Sequence, residues 1–165
     1  MRLILSAGLL LLLGCEIRRA PPLAADGEER VVREEVAQYY RDLSARDWRT
    51  YGGHFWPGAT LTTVWQPPGE AAPGVAIMTI DQFLARTGAG PDSKPIFEER
   101  LLGQEVRLTG NLAHAWARYE TTFGDSASVA TWRGVDAFTW MKHDGRWQIV
   151  ALAYTDETGA PSGAR

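Results

Sequence analysis

The sequence predicts an α+β domain in which helices from the first half of the chain pack on the concave face of a curved, cone-shaped antiparallel sheet. Residues 28–45 repeat apolar side chains at helical spacing, with charged residues between them. Residues 96–155 then form long runs rich in β-branched and aromatic residues, and Asp144-Gly145 is a typical two-residue hairpin turn. Helices followed by a long antiparallel sheet give two layers around a cone-shaped interior.

Three helices and a short hairpin are expected before the long strands. Thr79 and Gln82 have the spacing of a capping box, which predicts the start of a third helix. Pro57-Gly58 should stop the second helix. The predicted helices cover residues 28–45, 48–55 and 79–86, and the predicted hairpin strands cover residues 59–66 and 74–78.

The long strands are predicted at residues 96–108, 112–123, 129–143 and 146–155. Counting outward from the Asp144-Gly145 turn pairs Trp140 with Ile149, Phe138 with Ala151, and, on the other face, Val135 with Tyr154. Both faces are apolar, and three helices can cover only one of them. We therefore expect a homodimer through the outer sheet face; a bent sheet that covers itself is the alternative. The residues expected on that outer face are Phe138, Trp140, Trp147 and Ile149.

The N-terminal segment predicts export. Met1-Arg2 precedes an apolar run that ends at Leu13-Gly14-Cys15, and this run is too short to span a bilayer, which needs ~20 residues. Cys15 is the only cysteine, so it has no partner for a disulfide in an oxidising compartment. These residues resemble the lipobox of bacterial lipoproteins, which implies a lipid on Cys15 and a location in the bacterial cell envelope. An ordinary signal peptide cut further on is the alternative.

Composition and net charge limit the classes of partner that the protein is expected to bind. The formal net charge is −3, and the chain has no long basic run, so nucleic acid is not expected as a partner. Membrane contact is expected through the lipid anchor alone. The predicted organisation is a signal peptide at residues 1–14, a flexible tether at 15–27, one folded domain at 28–156 and a disordered tail at 157–165.

Three segments resemble the nuclear transport factor 2-like superfamily: residues 39–48, residues 54–61 and residues 138–150. That superfamily includes ketosteroid isomerases, SnoaL-like polyketide cyclases and the association domain of calcium/calmodulin-dependent kinase. The resemblance covers about residues 28–156 and implies the cone-shaped fold. It does not imply one function, because this fold holds both enzymes and binding modules.

A ligand pocket inside the cone is the preferred functional hypothesis. By resemblance to the kinase association domain, Arg118 would point into the cone with Trp116 beside it, where its guanidinium could bind a carboxylate or phosphate. A solvent-facing Arg118 paired with Glu120 is the alternative. Trp65 and Tyr154 are expected to line the same pocket, whose ligand would be a small, mostly apolar and possibly anionic molecule.

An enzyme of the SnoaL or isomerase type is the competing hypothesis. Tyr39 falls where ketosteroid isomerases place the tyrosine that donates to an oxyanion, and His54 or Asp136 could act as the base. The residue at the isomerase base position is Thr63, which cannot accept a proton near neutral pH, so steroid isomerisation is disfavoured. A structural or assembly role is the third hypothesis. The three histidines are too scattered for a metal-ligand motif, and we expect neither a metal nor a cofactor.

Overall fold

A computed structural model describes residues 25–66 and 70–157 of the 165-residue chain. The predictions for the signal peptide, for Cys15 and for nearly all of the tail lie outside the described residues. The helices are α1 (Ala25–Ala45), α2 (Trp48–Gly53) and α3 (Ile80–Leu84), with two short 3-10 turns at Thr87–Ala89 and Pro91–Ser93. The strands are β1 (Phe55–Trp65), β2 (Gly74–Thr79), β3 (Ile96–Thr109), β4 (Leu112–Gly124), β5 (Val129–His143) and β6 (Arg146–Asp156).

The six strands form one curved sheet in the order β2-β1-β6-β5-β4-β3, which confirms the predicted α+β class. One pairing differs from the expected antiparallel sheet, because β1 runs parallel to β6. That pairing also ends α2 earlier than predicted. Phe55 already lies opposite Ile149 of β6, so the helix stops at Gly53 and the strand continues through Pro57-Gly58.

Helix α1 lies over the inward face of β3 to β6, and polar side chains attach it at several points. It begins at Ala25, inside the segment predicted to be the tether. Arg33 donates to the carbonyl of Gln104 at 3.0 Å, and Gln104 donates back to the carbonyl of Arg33 at 3.1 Å. Near its start, Glu28 accepts from the indole of Trp147 at 2.8 Å and pairs with Lys142. The space between α1 and the inward face of β3 to β6 is called the cone interior below.

The prediction for the two sheet faces was wrong. Phe138, Trp140, Trp147 and Ile149 are buried in the core beneath the helices rather than on the outer face. Alternation along a strand separates two sets of side chains, but it does not say which set points inward. The neighbouring strand decides this, because its inward set includes Ala113, Ala115 and Ala117, whose small side chains leave room for a helix.

The hairpin register was predicted correctly only near its turn. Asp144 and Gly145 both have positive φ, as a type I′ turn requires, and Trp140 pairs with Ile149. Beyond that pair Val150 is an extra residue in β6, so Thr139 lies opposite Ala151 and Asp136 lies opposite Tyr154. This bulge corrects the expected pairing of Val135 with Tyr154. It also places Asp136 and Tyr154 side by side in the cone interior.

Candidate functional site

Asp136 is a carboxyl group buried in the middle of the cone interior. It lies on β5 between Ala117 of β4 and Tyr154 of β6, and only 3% of the residue is exposed. The hydroxyl of Tyr40, on α1, donates to its Oδ2 at 2.6 Å. Burial, with a smaller contribution from the charge of Glu99, raises the pKa of Asp136 well above its usual range. Asp136 therefore favours the protonated form, which can donate a hydrogen bond.

Glu99 is the second acid of the cone interior, on β3. Its Oε2 accepts from the hydroxyl of Thr121 at 2.9 Å, and Thr121 is itself buried. Ser44 of α1 holds the backbone at this point, because its hydroxyl donates to the Glu99 carbonyl and accepts from the Glu99 amide. Part of Glu99 remains accessible to solvent, but burial of the carboxyl group raises its pKa to about 7.

Tyrosine rings surround the two carboxyl groups. The ring of Tyr119 crosses Gly134, where a Cβ atom would lie 2.3 Å from the ring. Burial and then the nearby carboxyl groups raise the pKa of Tyr154 to about 12, and burial raises that of Tyr119 still further. Among the described residues, Glu99 and Asp136 have no hydrogen bond or ion pair with a lysine or arginine. We name Tyr40, Glu99, Tyr119, Thr121, Asp136 and Tyr154 the carboxyl cluster.

The carboxyl cluster has the properties of an acid–base site. A carboxyl group kept protonated at neutral pH can donate to an oxygen of a bound molecule, and one with a pKa near 7 can both give and accept a proton. Sequence reasoning named Asp136 and Tyr154 but missed Tyr40 and Glu99. Glu99 could have been found, because it shares a strand face with the apolar residues Phe97 and Leu101.

Tyr39, His54 and Asp136, the three candidate catalytic residues, have different partners. Tyr39 accepts from the hydroxyl of Tyr51 at 3.1 Å, while Asp136 is bonded to Tyr40. Within the described part of the chain no hydrogen bond joins the three candidates. The arrangement expected for an isomerase-type site built on Tyr39 is therefore not formed. Tyr39 and Tyr40 are consecutive, and a helix turns by about 100° per residue, so the sequence alone could not say which of them meets Asp136.

His54 forms a clamp between α1 and the start of β1. Its Nε2 lies 2.8 Å from Asp42 and its Nδ1 lies 3.4 Å from Glu35, and both carboxylates belong to α1. Burial opposes protonation of His54, but the bonds to Glu35 and Asp42 outweigh it and raise the pKa of the imidazole. A cleft of about 370 Å³ adjoins this clamp and is lined by Val31, Glu35, Thr50, Gly53, His54, Gly145, Arg146 and Trp147.

Arg118 and Trp116 do not point into the cone, which contradicts their predicted place in the pocket. The side chain of Arg118 is 59% exposed on the outer face and lies 3.7 Å from Glu157. Trp116 is 55% exposed on the same face. The wrong set of β4 side chains was assigned to the inward face from the sequence. The inward positions of β4 are occupied by alanines and Tyr119. The cone therefore has no arginine anchor at this position, and Arg118 does not reach a ligand inside the cone.

Trp65 and Thr63 lie on β1, beside β6. Trp65, at the end of the strand, is 36% exposed, and its role as a ligand-binding residue stays a prediction. Thr63 is buried, and its hydroxyl donates to the carbonyl of Tyr154 at 2.7 Å, so it fastens β1 to β6 near the carboxyl cluster.

The outer face of the sheet carries exposed apolar side chains among charged ones, and no described element covers it. Rows of paired residues cross it, such as Glu105, Trp116, Ala137 and Ala153. A groove of about 530 Å³ surrounds Trp116, with Glu105, Arg107, His114 and Thr139 among its lining residues. The large hydrophobic side chains exposed on this face include Val64, Val75, Ile77, Leu112, Trp116 and Met141.

The described residues contain neither a metal-binding cluster nor a helix suited to crossing a membrane. No group of three or more histidine, cysteine, aspartate or glutamate side chains there is placed to hold a metal ion. None of the described helices combines the length and apolar character needed to cross a bilayer.

Structural comparison identifies the fold. A protein of unknown function from Mycobacterium tuberculosis superposes with a TM-score of 0.64 at 13% identity, covering 83% of this chain and 78% of the other. A nuclear transport factor 2-like protein with a cystatin-like fold from Novosphingobium aromaticivorans superposes at 0.62 with 15% identity, covering 81% and 84%. This chain has the nuclear transport factor 2-like fold. The family named from the sequence thus gave the correct fold.

The association domain of CaMKII from C. elegans shares this fold, with a TM-score of 0.60, 19% identity, and coverage of 79% of this chain and 96% of that domain. No family model matches the sequence, and no curated protein matches it either. At these identities the nuclear transport factor 2-like fold is shared, and activity does not follow from it.

Proposed function

We propose that the chain is an exported, membrane-tethered domain that binds a small molecule in the cone interior and contacts it through the carboxyl cluster. The observation that carries this proposal is the burial of Glu99 and Asp136 without a basic partner. Burying a carboxyl group costs free energy that apolar side chains would not cost. Strongly shifted acids grouped inside a fold are therefore typical of functional sites.

Entry of a ligand requires movement of an aromatic ring. Tyr154 is half-buried and lies directly opposite Asp136, so its ring is the one that a ligand reaching this carboxyl group displaces. Trp65, exposed at the end of the neighbouring strand, would then cover the apolar part of the ligand. Neither cleft described above lies at this position, so the proposed pocket opens when the ligand binds.

Methyl NMR tests the proposal directly. Ala117 is fully buried and pairs with Asp136, whereas Ala153 is exposed on the outer face. Small aromatic fragments of neutral, cationic and anionic type are added to the alanine-methyl-labelled chain. We expect some fragments to shift Ala117 and to leave Ala153 unchanged. Asp136→Asn should weaken their binding, and Asp144→Asn, at a 90% exposed side chain, is the matched control. Absence of any shift at Ala117 would contradict the proposal.

Self-association through the outer face is a second candidate function. The exposed Trp116 and its groove support it, because apolar patches of this kind mark interaction surfaces. Glu105 and Arg107 border the groove with opposite charges, so each could meet the other in a two-fold pairing of identical faces. The fold shared with a kinase association domain is consistent with this proposal.

Sedimentation of single variants tests self-association. Trp116→Glu places a charge in the centre of the proposed interface and should convert the dimer to a monomer. Trp56→Glu is the matched control, because Trp56 is 39% exposed and contacts the ring of His143 away from this groove. A monomeric unmodified chain, or equal effects of the two variants, would contradict this candidate.

The membrane tether is part of the proposal and rests on the sequence around Cys15. Labelled palmitate should be incorporated into the full chain, and Cys15→Ala should abolish the incorporation and release the chain from the membrane fraction. Labelling that survives the substitution would refute attachment at Cys15.

A further inference from the structure

We infer that the molecule bound in the cone is an organic cation, most simply a protonated amine, and that its binding releases a proton from the carboxyl cluster. This inference rests on the proposed small-molecule function and names the ligand class for the same site. It replaces the anionic ligand that Arg118 had suggested.

The long strands separate charge between their two faces. The acids Glu99 and Asp136 point into the cone interior, on β3 and β5. The arginines of β3, β4 and β5 all have exposed side chains on the outer face: Arg100, Arg107, Arg118 and Arg133. The inward lysine of β5, Lys142, is paired with Glu28 near the start of α1. Among the described residues, the carboxyl cluster therefore has no opposing cation from β3, β4 or β5.

This one-sided arrangement discriminates between ligand charges. An anion would repel any carboxylate that formed beside it, and this repulsion is strong in a low-dielectric space. A neutral molecule would leave both acids protonated. A cation would let a carboxyl group ionise beside an opposite charge, which offsets the effect of burial on its pKa. Tyr40, Tyr119 and Tyr154 add aromatic rings, whose faces attract cations.

The proton balance follows from this exchange. The O–H bond of the Glu99 carboxyl group breaks, its proton passes to solvent, and the carboxylate pairs with the ammonium group of the ligand. No oxidant or co-reactant is needed. The groups that face Glu99 across the interior are Tyr39 and Tyr40 from α1, Tyr51 from α2, Tyr119 from β4, Asp136 from β5 and Tyr154 from β6. Because none of these carries a positive charge, the ligand supplies it.

Calorimetry with two sets of three probes of similar shape tests the inference on the unmodified chain. The probes are benzylamine, benzyl alcohol and benzoate, together with butylamine, 1-butanol and butyrate, at pH 6 and pH 8. We expect the amines to bind at least tenfold more tightly than the alcohols at pH 8, and the carboxylates not to bind. Amine affinity should fall about tenfold at pH 6, because Glu99, with its pKa of about 7, must then lose a proton. Titration in two buffers of different ionisation enthalpy should show nearly one proton released per amine at pH 6.

Variants and methyl shifts distinguish a failure of the cation inference from a failure of the proposed small-molecule function. Glu99→Gln should remove the pH dependence and most of the preference for amines, whereas Glu98→Gln, at an exposed neighbour, should change neither. If Glu99→Gln does not fold, proton release measured on the unmodified chain still tests whether amine binding ionises a carboxyl group. Alcohols that shift Ala117 and bind as tightly as amines would overturn the cation inference and leave the proposed function standing. If no probe shifts Ala117, both are overturned.

Discussion

The hydroxyl of Tyr40 donates to Asp136 at 2.6 Å across 96 positions of sequence, and this bond joins α1 to β5 inside the cone. It is the polar contact around which the carboxyl cluster is arranged. Because Asp136 is almost completely buried, no solvent can replace the bond if the hydroxyl is removed. The contact therefore matters for stability as well as for the proposed site.

Removing the Tyr40 hydroxyl should destabilise the domain. Tyr40→Phe leaves the Asp136 carboxyl group without its donor, and the free energy of unfolding should fall by about 1–3 kcal/mol. Tyr154→Phe is the matched control, because the Tyr154 hydroxyl has no hydrogen bond within the described residues, and its effect should be much smaller. Urea unfolding at pH 6 measures both. Equal losses of unfolding free energy in the two variants would show that the hydrogen bond from Tyr40 to Asp136 does not stabilise the domain.

Glu99 should make the domain less stable as pH rises through the weakly acidic range. Its pKa is raised from 4.5 to about 7 on folding, so the folded state holds this proton more tightly than the unfolded state does. The contribution of Glu99 to stability is highest below pH 4.5, falls between pH 4.5 and 7, and is constant above pH 7. The loss is about 3 kcal/mol.

Glu99→Gln should remove that dependence. The variant should equal the parent below pH 4.5 and exceed it in stability above pH 7, as measured by urea midpoints across the range. Glu98→Gln keeps the same change of charge at an exposed position and should follow the parent. A parent curve that is flat or rises between pH 4.5 and 7 relative to Glu99→Gln would refute this assignment.

The His54 clamp should also lose its stabilising effect as pH rises. Its pKa is raised above 6.5 on folding because Glu35 and Asp42 favour the charged ring. The stabilisation is fully present below pH 6.5 and is lost as pH rises through the folded pKa. His54→Gln should therefore lower the melting temperature at pH 6 more than at pH 9, and His114→Gln, exposed on the outer face, should not. A deficit that is independent of pH would argue against a charged clamp.

The fold could be predicted from the sequence because its signals are local. The period of residues 28–45, the Thr79–Gln82 capping box and the Asp144-Gly145 turn each depend on neighbouring residues, and the structure confirms all three. The order of the strands and the parallel pairing of β1 with β6 depend on the whole sheet, so the sequence pattern did not contain them.

The site was harder to predict for two physical reasons. Strand alternation cannot say which set of side chains is inward, so Arg118 and Trp116 were placed in the cone although both lie outside. One extra residue, Val150, then moves Asp136 from the face opposite Tyr154 to a position beside it. A single bulge therefore decides whether this acid belongs to the cone interior.

Carbon-13 NMR titration of the carboxyl groups tests the central claim, that the ligand-free cone interior holds uncharged acids. In the unmodified chain, we expect the carboxyl resonance of Glu99 to titrate near pH 7 and that of Asp136 well above the range of an ordinary aspartate. Midpoints below pH 5 for both residues would show that the cone already holds carboxylates, and would contradict the account.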